Sequence, residues 1–245
     1  MSDELDLIMS NYQYDFITLE DYWKDVIKTG DIAVWQSYHL FGLGIRLVTG
    51  PFTHVGYLAK EGDMVYIYHA ARGRYFRKSF IKQDFEKIIR SDNTLKAICR
   101  LDYSAIWKQE YITENILKSY ERVRLMENAS MGYDWGMIIA ELNRSIFSAI
   151  DIDITTRRPI IDNANNVMCS EGISMVFNPE AYQGNTMPLR KNYFLSNALS
   201  LPMWPTPSDI AFGPHTNFIL VRKNFKNKLN KYIEHYSNRN FVARY

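Results

Sequence analysis

The sequence predicts an α+β fold in which an antiparallel sheet packs against helices, and three observations predict it. Two alternating runs, Thr53–Ala59 and Met64–Ala70, flank Lys60-Glu61-Gly62-Asp63 and read as a hairpin. Short apolar runs at Asp31–Gln36 and Leu95–Leu101 read as further strands. Apolar residues recur at helical spacing over Glu110–Asn128, Tyr133–Ile150 and Met168–Phe177.

In chain order, residues 1–28 place Phe16, Leu19, Tyr22, Trp23 and Val26 at roughly helical spacing, and Thr29-Gly30 ends that segment. The strand Asp31–Gln36 follows, then an apolar stretch, Ser37–Gly50. In the hairpin, a loop centred on Glu61-Gly62 sets Lys60 opposite Asp63 and therefore His54 opposite His69. Gly56 and Leu58 share that face with Ile67 and Val65. Arg74–Ile81 is a further strand candidate, and Phe85–Ile89 a helical turn. Tyr133–Ile150 opens at Asp134 and carries Trp135, Ile138, Ile139, Leu142 and Ile146 on one face. Ile152–Asn166 is polar and loop-like. Asn178-Pro179 stops the helix that begins at Met168. A proline-rich stretch (Pro202, Pro205, Pro207) precedes a last strand, Phe218–Arg222.

A chain of 245 residues can bury a full core without disulfide staples. With 29 basic and 27 acidic residues the net charge is +2, which excludes a strongly basic nucleic-acid binder. The charge is uneven. Residues 222–245 hold seven Lys/Arg against one acid, Glu234. This segment is expected as a basic C-terminal tail, either a solvated helix over Phe225–Tyr236 or a contact for an anionic partner. The rest, 1–221, is expected as one domain with a helical insertion at about 105–160. The acidic start, Met1-Ser2-Asp3-Glu4, is unlike a signal peptide. No apolar run reaches the ~18 residues of a membrane span. The expected location is cytoplasmic or virion-associated.

Two cysteines exclude a disulfide framework and a four-cysteine zinc site. Alternation puts Cys99 with Leu95, Ala97 and Leu101 on a core face. Cys169 follows the polar run Asp162–Asn166 and opens a helix, where the dipole and unpaired N–H groups favour thiolate. A thiol there is structural more often than catalytic, and so is a histidine in a strand. The pairing of His54 with His69 adds the geometry of a base and its orienter. A zinc site of His54, His69 and Cys169 is chemically conceivable but lacks a local ligand pair such as HExxH, so no metal and no cofactor is expected.

Six segments, in order, resemble permuted NlpC-like, YiiX-like cysteine hydrolases of the papain fold, a group with poxvirus and lecithin:retinol acyltransferase-like members. They are Thr29-Gly30-Asp31-Ile32-Ala33, Thr53-His54-Val55-Gly56-Tyr57, Tyr66-Ile67-Tyr68-His69-Ala70, Tyr133-Asp134-Trp135, Met168-Cys169-Ser170-Glu171 and Thr206-Pro207-Ser208-Asp209-Ile210. The resemblance implies a circularly permuted papain-like fold, since His54 precedes Cys169 where papain has the reverse order. It implies Cys169 as nucleophile, His54 as general base and then acid, and His69 as the third, polar member. Family members of the YiiX type often have Glu at that place, and the acyltransferase branch has His. The oxyanion hole it implies combines the Cys169 N–H with a donor near the first strand, Gln36 or Ser37. Glu171 and Asp31 are supporting residues. Peptide, peptidoglycan and acyl-lipid substrates are all compatible with it. The rival expectation is an inactive papain-like fold serving as a virion or binding protein, its basic tail on an anionic partner.

Overall fold

The computed structural model describes residues 17–20, 23–37, 46, 50–70, 80–128, 132–133, 166–167, 169–177 and 206–238. The expected helix beyond Tyr133, the loop 152–165, the proline-rich stretch before Thr206 and the last residues, 239–245, lie outside them. The architecture is α+β. The elements are β1 (Ile17–Thr18), α1 (Trp23–Val26), β2 (Ile32–Trp35), β3 (His54–Glu61), β4 (Met64–Ala70), β5 (Phe80–Asp84), α2 (Phe85–Ser91), β6 (Leu95–Leu101), α3 (Tyr103–Ile106), α4 (Ile112–Asn128), β7 (Gly132–Tyr133), β8 (Asn166–Val167), α5 (Cys169–Phe177), α6 (Pro207–Ala211), β9 (Thr216–Val221) and α7 (Lys226–Asn238). The main sheet runs β1-β9-β6-β2-β3-β4-β5. Six of its strands are antiparallel neighbours, and β1 joins the edge parallel to β9. Ile17 and Thr18, in a segment read as helical or mixed, form a short strand along the edge that β9 offers. The strand expected over Arg74–Ile81 is described from Phe80, and it runs on to Asp84.

The hairpin forms with a register two residues from the expected one. Glu61 pairs with Met64 and Tyr57 with Tyr68, so the loop is Gly62-Asp63. Gly62 sits at φ +60°, the left-handed conformation a two-residue hairpin loop needs, and the glycine fixes where the chain turns. A shift of two preserves every side chain's face. His54 and His69 still share a face, now as diagonal neighbours.

The sheet separates two apolar clusters. On one face Val55, Tyr57, Ala59, Tyr68, Ala97 and Cys99 meet α4, α5, α6 and α7 through Val123, Ile173, Ile210 and Leu229. On the other, Ala33, Trp35, Leu58, Ile67 and Ile98 meet α1 and α2 through Trp23 and Phe85. Leu95, expected beside Cys99, belongs to this second face. Val34 pairs with Ala97 but Trp35 with Leu95, so β6 carries a bulge at Lys96 that breaks the alternation.

Residues 222–238, expected in the basic tail, pack into the folded unit. Arg222 is buried and donates to the carbonyls of Leu95 and Ile89 and to Glu20. Phe225, just before α7, and Leu229 and Ile233 on it enter the core at helical spacing, while Lys223, before the helix, and Lys228 and Lys231 on it stay exposed.

Candidate active site

His54 is the first residue of β3, and several contacts fix the chain leading to it. Phe52 N–H donates to Ser208 Oγ at 2.9 Å. Ser208 sits in α6, whose capping box joins Thr206 and Asp209 with Pro207 in the first turn. The Thr206-Pro207-Ser208-Asp209 motif therefore anchors the histidine strand through a bond that spans 156 residues of sequence. Thr53 Oγ1 accepts from Ser37 N–H at 3.0 Å, tying the same segment to the end of β2.

Four adjacent strands contribute one side chain each to a row on the second face: Gln83 from β5, His69 from β4, His54 from β3 and Trp35 from β2. His54 Nε2 and His69 Nδ1 are 2.8 Å apart, and His69 Nε2 is 2.8 Å from Gln83 Oε1. Trp35 pairs with His54 across the strands. Its ring stacks on His69 at 5.6 Å with planes 6° apart, and its indole N–H donates to Asp92 Oδ2 at 3.0 Å. Gly56 creates the space where the two imidazoles meet. A Cβ there would lie 2.9 Å from both His69 Cβ and Ile67 Cδ1. The glycine is needed for this close approach rather than for a turn.

Burial pushes His54 well below the usual imidazole range, and the His69 ring adds to the shift. His69 is lowered too, chiefly by burial, against the pull of Gln83 and of the Asp92 carboxylate. Both rings are therefore neutral bases near pH 7.

Cys169 opens α5 and is buried in the first cluster, with α5 packed on β3 and β4. Strand alternation sets the histidine rings on the Trp35 face and α5 on the other. The other cysteine, Cys99, is fully buried in β6, where burial and the Asp31 charge push its thiol well up.

The remaining candidates have other contacts. Gln36 is buried, and its amide nitrogen donates to Pro51 O at 3.1 Å and to Tyr232 Oη at 3.4 Å. Ser37 N–H is held by Thr53. The Asp31 carboxylate takes Arg100 Nε and Nη2 at 2.7 and 2.8 Å and Lys28 N–H at 2.7 Å. Glu171 lies in the first turn of α5, and its side chain is outside the described residues. Gln83, Trp35 and Asp92 were missed by sequence reasoning. Gln83 carries no motif, and only the register of β5 on β4 could have pointed to it. Among the described residues no group of three or more His, Cys, Asp or Glu is arranged to hold a metal, and no helix is long and apolar enough to cross a membrane.

No family model matches the chain, and no curated protein matches it. Among solved structures it is similar to a metalloprotein, YiiX, of Escherichia coli O157:H7 (DUF1105), at 13% identity and a TM-score of 0.45, over 80% of this chain and 98% of that one.

Proposed function

We propose that the protein is a thiol-dependent hydrolase or acyltransferase acting on an amide, ester or thioester carbonyl, with Cys169 as nucleophile and His54 as its base. The observation that carries this reading is the His54–His69 pair. Nε2 of His54 is committed to His69, so Nδ1 is the atom that can take a proton, and burial keeps the ring neutral and able to do so. The sequence motifs around both residues support the same reading. So does the order of histidine strand before thiol helix, which is that of a circularly permuted papain-like fold.

The chemistry is acyl transfer. Cys169 Sγ attacks the carbonyl carbon as its proton passes to His54 Nδ1. His54 then returns that proton to the departing amine, alcohol or thiol. A thioester to Cys169 remains, and water or an acceptor amine resolves it with His54 again as base. The oxyanion donor in this reading is the Cys169 N–H, in the first turn of α5. Gln36 contributes only if its amide exchanges Pro51 for the oxyanion. Peptide, peptidoglycan and acyl-lipid carbonyls all fit this reaction.

Alkylation with iodoacetamide, read by peptide mass spectrometry, tests it. Cys169 reacts at neutral pH at least tenfold faster than Cys99, and His54→Ala removes most of the difference. Equal, slow labelling of both thiols overturns it. That result favours the second reading, a binding or virion protein that keeps the fold. The burial of Cys169 on the face opposite the imidazoles speaks for that alternative. Its anionic partner would meet Lys223, Lys228 and Lys231. Reversing those three charges, rather than truncating a core helix, is the test of that contact. Unchanged retention on heparin or anionic vesicles counts against it.

A further inference from the structure

Gln83 ends the row of hydrogen bonds that begins at His54. It lies on β5, an edge strand, with its side chain exposed to solvent and its carbonyl oxygen on His69. We propose that Gln83 is a positioning residue that sets the direction of hydrogen bonding through both imidazoles, so that His54 presents a lone pair rather than a proton at Nδ1. This rests on the reading of His54 as the general base.

A neutral imidazole has one N–H and one acceptor nitrogen. An amide oxygen can only accept, so the His69 proton sits on Nε2, facing Gln83 Oε1. His69 Nδ1 is then an acceptor. The contact at 2.8 Å requires a proton between the rings, and His54 Nε2 must supply it. His54 Nδ1 is left with its lone pair, the state a base needs before thiol attack. Replace the terminal acceptor by a donor and every proton in the row moves to the other nitrogen. His54 would then carry Nδ1–H and could not accept.

Gln83 achieves this without charge. A carboxylate at the end of the row would give the same direction and would also stabilise an imidazolium. With a neutral amide, proton transfer from Cys169 accompanies attack instead of preceding it as a standing ion pair. Among the described residues, Asp92 and the two imidazoles are the ionisable groups that act on His54 and His69. Asp92, beyond the end of α2, faces His69 from behind Trp35 and favours its protonation, and burial outweighs that pull. Each histidine faces the other, and Cys169 opens α5 on the opposite face of the sheet.

Imidazole nitrogen NMR on the full chain tests the proposal directly. In the native protein both rings carry the proton on Nε2. In Gln83→Leu the terminal acceptor is gone, and both rings shift to Nδ1–H or to a mixture. In Gln83→Glu the direction is kept, and the titration midpoint of the pair rises by about one pH unit. Gln83 is exposed, so neither variant disturbs the core. Native rings protonated on Nδ1, or tautomers unchanged in Gln83→Leu, overturn the proposal. The catalytic reading is scored separately, by dependence of Cys169 alkylation on His54. If tautomers follow Gln83 but alkylation ignores His54, the row stands and the nucleophile assignment falls. If alkylation needs His54 while tautomers ignore Gln83, the reverse holds.

Discussion

Among the described residues, the polar arrangement around Asp31 and the histidine row differ in what they leave over. Around Asp31, Arg100 donates to both carboxylate oxygens, Lys28 N–H adds a third bond, and Arg100 also reaches Val26 O at 2.9 Å. Opposite charges meet, and the pair staples β2 to β6 and to the turn before β2. The histidine row carries no net charge, and its bonds run in one direction. It ends in a ring nitrogen, His54 Nδ1, that the row itself does not use. A closed ion pair holds a structure together. An open neutral chain can pass a proton.

Removing one partner from the closed pair should therefore cost more than anything done to the row. Asp31→Ala strands the Arg100 guanidinium, three-quarters buried, and should lower stability by about 3 kcal/mol. Urea denaturation reads this. A loss below about 1 kcal/mol would show that Arg100 swings out to water, and that the staple is dispensable.

The row should break first at its glycine. Gly56→Ala puts a methyl 2.9 Å from His69 Cβ, an atom fixed by its own strand. Overpacking there should cost about 2 kcal/mol. It should also separate the two imidazoles, erasing their tautomer preference in NMR spectra. The Asp31 pair, on the far side of β2, should be untouched. Retained tautomers would mean that β3 and β4 shift together to absorb the methyl.

Both arrangements were partly legible in the sequence, and the reasons differ. The shared face of His54 and His69 follows from strand alternation alone, which survives a register error of two residues. The register itself was misjudged because Gly62 takes the first loop position, not the second. Asp31 sat in a recognisable Thr29-Gly30-Asp31 motif, but its partner Arg100 lies in a strand 69 residues away, and no local pattern announces that pairing. Gln83 was hidden for the same reason. It stands on an edge strand that runs past its expected end at Ile81 to Asp84, and its meaning comes only from lying across from Ile67 and diagonal to His69. The bulge at Lys96, which moves Leu95 to the other face, leaves no glycine or proline to mark it. The helix expected over Phe225–Tyr236 forms as Lys226–Asn238, but counting charge does not reveal that Arg222 is buried among carbonyls.

Acidification should separate the two regions by sign. The histidines have folded pKa values below the unfolded value of about 6.5. The folded state then binds fewer protons, so their contribution is complete above about pH 6.5 and is lost as pH falls below it. A fully depressed histidine costs about 1.4 kcal/mol by pH 5.5. Burial raises the Asp31 carboxyl in spite of Arg100, so that group binds more protons when folded and opposes the loss at lower pH. Chemical denaturation across pH 5–7 should show the histidine slope, and the double variant His54→Gln, His69→Gln should flatten it. A slope that persists in the double variant would place the titration elsewhere.

The smallest effect tests whether the row is held by its own hydrogen bonds or by the aromatic ring stacked against it. Trp35→Phe keeps a flat ring beside His69 but removes the indole N–H from Asp92, whose other oxygen stays bonded to Thr94 N–H at 2.8 Å. The lost bond to a partly buried carboxylate should cost about 1 kcal/mol. Freed of the indole, the Asp92 charge should move the His69 midpoint only slightly upward. The tautomers should not change, because their direction is set at Gln83, three strands from Trp35. If they do change, orientation comes from the Trp35–Asp92 clamp, and the contrast between a closed, charged staple and a self-directed neutral row dissolves, since the row too would depend on a carboxylate.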